Sequence, residues 1–409
     1  MKRYWLLIVL IVFSVCSMSY YYVAEAQSPK PEYYLKTIAG QEENAAKVVV
    51  QGSYEVEAIS VTTQGSYYPS DHQTYWKQLD SSDYFLDDLA GLREQHRSFM
   101  RGKRDVNAFF EDEKVIGYAG SESPFGLEKE QSDILNIALY DKGQKKQSAD
   151  FKVQIKKNKD EFISVSDVQV KERTMKVVVA YQPKFHSETE FASTEYHLYT
   201  IDLDKRSIVA HERIETGAKQ DAKLRTIVYN VWGTQPLSAK GYIIFDQTTY
   251  ALKDVKDHRP DTSNDELLNH EIFAYDIWKG QLTKIQNESI QKLLMKSGDD
   301  LIIRQTGDNV YFNLFSESGP SEVLSYSISD NKVNSDVVLE LQSLQSEWGR
   351  TGIFQIVNNR LYMLMFGKQN PAIAIVDLAT KKTIYQGVIE RKDMVKVDKL
   401  AFSDITVKE

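Results

Sequence analysis

The sequence predicts an all-β chain built from a repeated four-stranded antiparallel unit, preceded by one apolar helix. Three observations carry this. Val, Ile, Thr and Phe cluster with 24 tyrosines in short alternating runs, and there are only 9 prolines in 409 residues; such runs read as strands. Segments about fifty residues apart resemble one another, the signature of a repeat architecture. The runs end in polar turns rich in Asp, Asn, Lys and Gly, residues that tolerate hairpin dihedrals.

Composition bounds the function before any motif does. The chain is 42% hydrophobic and 26% charged, ordinary for a folded protein with a core. Its net charge is −8, from 58 acids against 50 bases. A nucleic-acid partner calls for a basic face, so none is expected. The single cysteine, Cys16, excludes a disulfide framework, a cysteine zinc site and an iron–sulfur site. No cofactor is expected.

The N-terminus sets the compartment. Lys2 and Arg3 precede an apolar run over residues 4–23. Two readings fit residues 1–26. A transmembrane anchor needs about 20 apolar residues, and Tyr20, Tyr21 and Tyr22 would form its interfacial belt. A signal peptide would be cleaved after Ala26, where Ala24-Glu25-Ala26 supplies the small-x-small site. Both export the body, on the membrane surface in one case and secreted in the other. Lipidation at Cys16 is disfavoured, because Val15 stands where a small residue belongs. Residues 27–45, with Pro29 and Pro31, read as a polar linker, and residues 46–409 as the folded domain.

Within that domain the elements follow in order. Residues 47–62 alternate like a strand pair. Phe85, Leu86, Leu89, Leu92, His96, Phe99 and Met100 share a helical face, which predicts a helix near 83–100 inside an insertion over about 80–103. Then a strand pair recurs. Val115-Ile116-Gly117-Tyr118 leads to Ile137-Ala138-Leu139-Tyr140-Asp141, and Val177-Val178-Val179-Ala180-Tyr181 to Leu198-Tyr199-Thr200-Ile201-Asp202. Tyr242-Ile243-Ile244-Phe245 leads to Phe273-Ala274-Tyr275-Asp276. The last two copies align best. Tyr311 and Tyr362 stand 51 positions apart, as do Phe315 and Phe366. One unit is expected to place strands near 162–169, 174–181, 197–203 and 207–214, and the last near 352–357, 361–366, 372–377 and 383–389.

Five such units, each an apolar strand, an Asp or Ser near its end and a polar turn, resemble the blades of a β-propeller of bacterial extracytoplasmic type. The resemblance covers roughly residues 105–390 and implies about six four-stranded blades, with five to seven the range. It identifies no particular family, since neither a WD dipeptide nor a kelch double glycine occurs. The ends, residues 47–62 and 395–408, are expected to meet in a sixth blade, because propellers protect strand edges by closure.

No catalytic motif is legible. The seven histidines show no metal-ligand spacing, and there is no G-x-S-x-G elbow, P-loop or calcium loop. Asn287-Glu288-Ser289 reads as a plain turn. The long insertions, over 120–133, 182–195 and 247–270, fall between the second and third strands of their units, hence on one face, where ligand loops gather. Twelve acids and five bases give these loops −7, almost the charge of the chain. The candidate binding residues are therefore Asp254, Asp257, Asp261, Asp265, Glu266, Glu188 and Glu190, with Trp232 and Trp348 as aromatic surface. An acidic rim would attract a cationic partner; the bland alternative is solvated loops. Trp278, in a repeat turn, is expected to pack between blades. The leading expectation is a membrane-tethered binding, sensory or regulatory module for a protein or cell-envelope component. The alternative is a glycan-acting hydrolase or lyase that uses channel carboxylates such as Asp112, Asp246, Asp300 and Asp308, which would have to converge.

Overall fold

The computed structural model describes residues 5–27, 30–72, 89–122, 132–158, 161–183, 194–217, 224–231, 233, 237–251, 265–297, 301–314, 321–339, 350–366, 370–393 and 400–407. Six antiparallel sheets, five of four strands and one of five, form a β-propeller. Blade 1 is β5 (Phe109–Glu111), β6 (Val115–Ser121), β7 (Ser132–Asp141) and β8 (Lys146–Lys156). Blade 2 is β9 (Glu161–Lys171), β10 (Thr174–Pro183), β11 (Glu195–Asp202) and β12 (Ser207–Ile214). Blade 3 is β13 (Leu224–Asn230), β14 (Tyr242–Ala251), β15 (Glu266–Asp276) and β16 (Gln281–Lys284). Blade 4 is β17 (Leu301–Thr306), β18 (Asn309–Leu314), β19 (Ser321–Ser327) and β20 (Lys332–Leu339). Blade 5 is β21 (Arg350–Val357), β22 (Arg360–Phe366), β23 (Ala372–Asp377) and β24 (Lys382–Arg391).

Blade 6 takes its inner strand from the C-terminus and the rest from the N-terminal region. Its order is β25 (Leu400–Val407), β2 (Val48–Tyr54), β3 (Glu57–Thr62), β4 (Gly65–Tyr67). This is the expected sixth blade. Gly52 sits at the bulge in that pairing, and a Cβ there would stand 2.2 Å from the Ala401 carbonyl oxygen. The segment expected as a linker contains one more strand, β1 (Tyr33–Gly40), which pairs antiparallel with β24 from Tyr33↔Arg391 to Gly40↔Tyr385. Tyr33 and Leu35 are buried there, which holds the strand on the blade edge.

The core lies between blades. In β10, Val177, Val179 and Tyr181 pack toward blade 1, while Val178 and Ala180 pack toward blade 3. Burial on both faces explains why such strands read as unbroken apolar runs rather than alternating ones. Similar clusters join blades 3 and 4, 4 and 5, and 5 and 6. Tyr311 and Tyr362 occupy the same place in neighbouring blades: each is the third residue of a second strand, buried against the next blade.

The repeated turn has one physical cause. At the end of each third strand in blades 1 to 5 an Asp or Ser accepts backbone N–H groups two or three residues on. Asp141 accepts from Gln144 N, Asp202 from Asp204 N and Lys205 N, Asp276 from Trp278 N and Lys279 N, Ser327 from Asp330 N, and Asp377 from Thr380 N. The residue that closes each turn has positive φ: Lys145, Arg206, Gly280, Asn331 and Lys381.

The helices depart from expectation. In place of one helix near 83–100 there are two short ones, α2 (Ala90–Gln95) and α3 (Arg97–Met100); residues 83–88 lie outside the described residues. They break at His96, whose φ of −127° and ψ of 43° bring its ring 4.8 Å from that of Tyr140. The apolar face is as expected: Leu89, Leu92, Phe99 and Met100 are buried against blade 1. Asn287 lies in no plain turn. Its side chain caps α4 (Glu288–Ser297), accepting from Ser289 N and Ile290 N. At the N-terminus, α1 (Trp5–Gln27) spans 23 residues, and its Leu10, Phe13 and Val15 are exposed. Among the described residues, no helix is long and apolar enough to cross a membrane.

Candidate functional site

Alternating strand directions give the propeller two faces. Loops between second and third strands, and the connections from blade to blade, leave by one face; the tight turns leave by the other. The gaps between β6 and β7, β10 and β11, and β14 and β15 confirm that the long insertions root on the first face. The second face also carries one long connection. The connection between β13 and β14 runs over residues 231–241, and its described part reaches into three other blades. Leu237 O accepts from Glu111 N of blade 1 at 2.7 Å. Lys240 donates from its backbone N to Gln169 Oε1 and from Nζ to Asp167 Oδ2, both in blade 2 at 2.8 Å. Gly233 bridges to Gln305 of blade 4. This strap lies across the turn face at the inner strands.

Of the predicted binding residues, Asp254, Asp257, Asp261, Glu188, Glu190, Trp232 and Trp348 lie outside the described residues. Glu266 is exposed at the start of β15. Asp265 differs from the solvated rim acid expected. It pairs with Arg225 at 3.1 Å, the two side chains 12% and 5% exposed, and Arg225 also lies over the Tyr250 ring. Trp278 packs between blades 2 and 3, as expected, with Lys171 and Lys176 over its ring. The acids proposed as a channel constellation belong to separate blades. Asp112 caps its own turn in blade 1, accepting from Lys114 N and Val115 N. Asp246 bonds His270 at 2.7 Å in blade 3, and Asp308 sits in the blade 4 turn. Asp300 lies outside the described residues.

The structure brings together a different set. Between the outer part of blade 1 and blade 2 lies a cleft of about 820 Å³, lined by Gln154, Lys156, Asn158, Glu161, Tyr181, Glu195, His197, Tyr199 and His211 among others. Such volumes fall within the range of about 300–1,000 Å³ usual for small-molecule sites. The cleft opens at the ends of β8 and β10 and the starts of β9 and β11, on the long-loop face.

Strand register builds its wall. Tyr199 faces His211 across β11 and β12, and His197 is diagonal to it, two residues back on the same side. The His211 ring is exposed and stacks on Tyr199 at 4.4 Å, nearly parallel. His197 Nδ1 lies 2.8 Å from His211 Nε2, so one ring donates and the other accepts. Burial, with His211 beside it, holds the His197 imidazole below its ordinary 6.5, opposed by Glu195. Behind these rings Tyr181 donates to Lys156 O at 2.9 Å and lies 2.6 Å from the Tyr199 hydroxyl. Burial pushes both phenols up. At the base, Lys157 and Asp133 face each other at 3.6 Å, 1% and 2% exposed. Asp133 also accepts from Ser121 Oγ. Among the described residues no three His, Cys, Asp or Glu side chains are grouped to hold a metal.

No family model and no curated protein matches the chain. Solved structures similar to it include an uncharacterised protein from Listeria monocytogenes at 15% identity, covering 70% of this chain and 67% of that one, TM-score 0.33. Another is the β-propeller domain of the Trilobed protease from Pyrococcus furiosus, at 9% identity over 85% and 83%, TM-score 0.33. TolB from Acinetobacter baumannii matches at 9% identity over 87% and 82%, TM-score 0.25. Likeness at this level transfers no function, and the propeller assignment stands on the sheet order and end closure described above.

Proposed function

We propose that the chain is an extracytoplasmic binding module, tethered to the membrane through its N-terminal helix, that takes a protein or cell-envelope ligand on the long-loop face. One observation carries the reading: the inter-blade cleft opens on the same face as the elaborated loops. The attachment of the tether supports it. Lys30 bonds Asp71 and Ser70 and pairs with Glu57, Pro31 O accepts from Tyr68, and Glu32 pairs with Lys392. These contacts clamp the chain at the rim of the long-loop face, beside blades 5 and 6. Gln27 and Lys30 are three residues apart, a span of at most about 10 Å. The exposed apolar side chains of α1 and the flank of Lys2 and Arg3 support the tether itself.

The test is fractionation and protease access in cells stripped of their wall. The chain should pellet with membranes, and added protease should remove the propeller while a cytoplasmic marker survives. A propeller that stays protected, or that is found only in the soluble cytoplasmic fraction, contradicts the proposal.

A further inference from the structure

We infer that the cleft between blades 1 and 2 is a saccharide-binding site, with the exposed ring of His211 as its stacking platform. This rests on the binding reading above and names its ligand class.

Most charged groups that line the cleft already have partners. Lys157 is paired with buried Asp133. Glu195 pairs with Arg213 at 3.1 Å, and Glu161 accepts from Asn158 N at 2.8 Å and from its Nδ2 at 2.7 Å. The two imidazoles share a hydrogen bond, which requires at least one to be neutral. Lys156, exposed at the mouth, is the lining cation with no acidic partner among the described residues. A site for a free ion would hold uncompensated charge at its centre; here the buried lysine is paired with Asp133, and Lys156 stands at the mouth.

What faces the cleft is a flat ring surrounded by hydrogen-bonding groups. His211 is fixed from behind by the Tyr199 ring and at its edge by His197. It is exposed yet has little rotamer freedom to lose on binding. Gln154, Glu161, Glu195 and Lys156 line the same cleft. The amide both donates and accepts, the carboxylates accept and the ammonium donates. Vicinal hydroxyls, each donor and acceptor, match that mixture, and the apolar face of a sugar ring matches the platform.

The experiment uses the full chain in detergent micelles, titrated calorimetrically with three probes: tri-N-acetylglucosamine, trigalacturonic acid and inorganic phosphate. At least one trisaccharide should bind with a dissociation constant in the millimolar range or below, and phosphate should not. His211→Ala, with an unchanged melting curve, should weaken binding at least tenfold, and His211→Phe, which keeps a flat ring, should weaken it less. No binding of either trisaccharide up to 10 mM, equal binding of phosphate, or binding untouched by His211→Ala overturns the inference. If saccharides fail while a protein partner is still captured from the long-loop face, the binding module stands and only its saccharide site falls.

Discussion

The base of the cleft offers the sharpest energetic test. Asp133 and Lys157 are 2% and 1% exposed and 3.6 Å apart. At that distance, with an effective dielectric constant near 20, their attraction is about 4–5 kcal/mol. Removing one partner strands the other charge in the interior, which typically costs about 3–5 kcal/mol. Asp133→Asn keeps the shape and can still meet Ser121 Oγ, so its effect isolates the charge. Urea denaturation should therefore show a loss of about 3–5 kcal/mol, read as a lower midpoint at an unchanged slope. Lys157→Met alone should also destabilise. The double variant should lose less than the sum of the two, because replacing a whole buried pair by apolar or neutral groups is often close to neutral. A loss below about 1 kcal/mol for Asp133→Asn, the value of an exposed pair, would refute the closed base of the cleft.

Three more expectations follow from particular contacts. Asp265→Asn, which removes a carboxylate 12% exposed and 3.1 Å from Arg225, should destabilise more than Glu266→Gln, which should stay within about 0.5 kcal/mol; equal effects in chemical denaturation would contradict the buried pair. Tyr362→Ala should cost about 3–5 kcal/mol at the interface of blades 5 and 6, and an unchanged melting curve would contradict the repeat alignment. The folded state depresses the His197 pKa, so the unfolded chain binds that proton more readily. Its contribution to stability is complete above 6.5 and is lost as pH falls from there through the lowered value. Between pH 7.5 and 5.5 the urea midpoint should drop more in the parent than in His197→Gln, with His211, Glu195 and Arg213 as the charged or titratable neighbours. Parallel curves would show that His197 is not the group that titrates.

Much of the fold was legible because its signals are local. The Asp-led turns recur since each must satisfy the same backbone N–H groups, and the apolar second strands recur since each is buried on both faces. β1 was not legible: Tyr33-Tyr34-Leu35-Lys36 is short and polar-flanked, and only its pairing with β24, more than 340 residues away in sequence, makes it a strand. The strap over 231–241 hides for the same reason, as its partners lie in blades 1, 2 and 4. α4 was not legible where Asn287-Glu288-Ser289 reads as a plain turn, although Asn287 is a good cap and Ile290, Leu293 and Leu294 are buried on one face. For the candidate site, the sequence singled out charged residues of the long loops rather than the residues that line the cleft. His197 and His211 have no ligand spacing, yet folding 197–203 back on 207–214 already sets them on one side of a hairpin. That signal lay in the strand register, where a residue-spacing motif cannot show it.

The central claim is that the long-loop face, at the cleft, receives the ligand. The most direct measurement is photocrosslinking in intact membranes with a diazirine side chain in place of Gln154, at the cleft, or of Glu113, exposed in a turn of blade 1 on the other face. The account predicts a discrete adduct, protein or glycan, from position 154 and none from 113, with the 154 adduct diminished by His211→Ala. Adducts from 113 alone, or the same adducts from both positions, would contradict it.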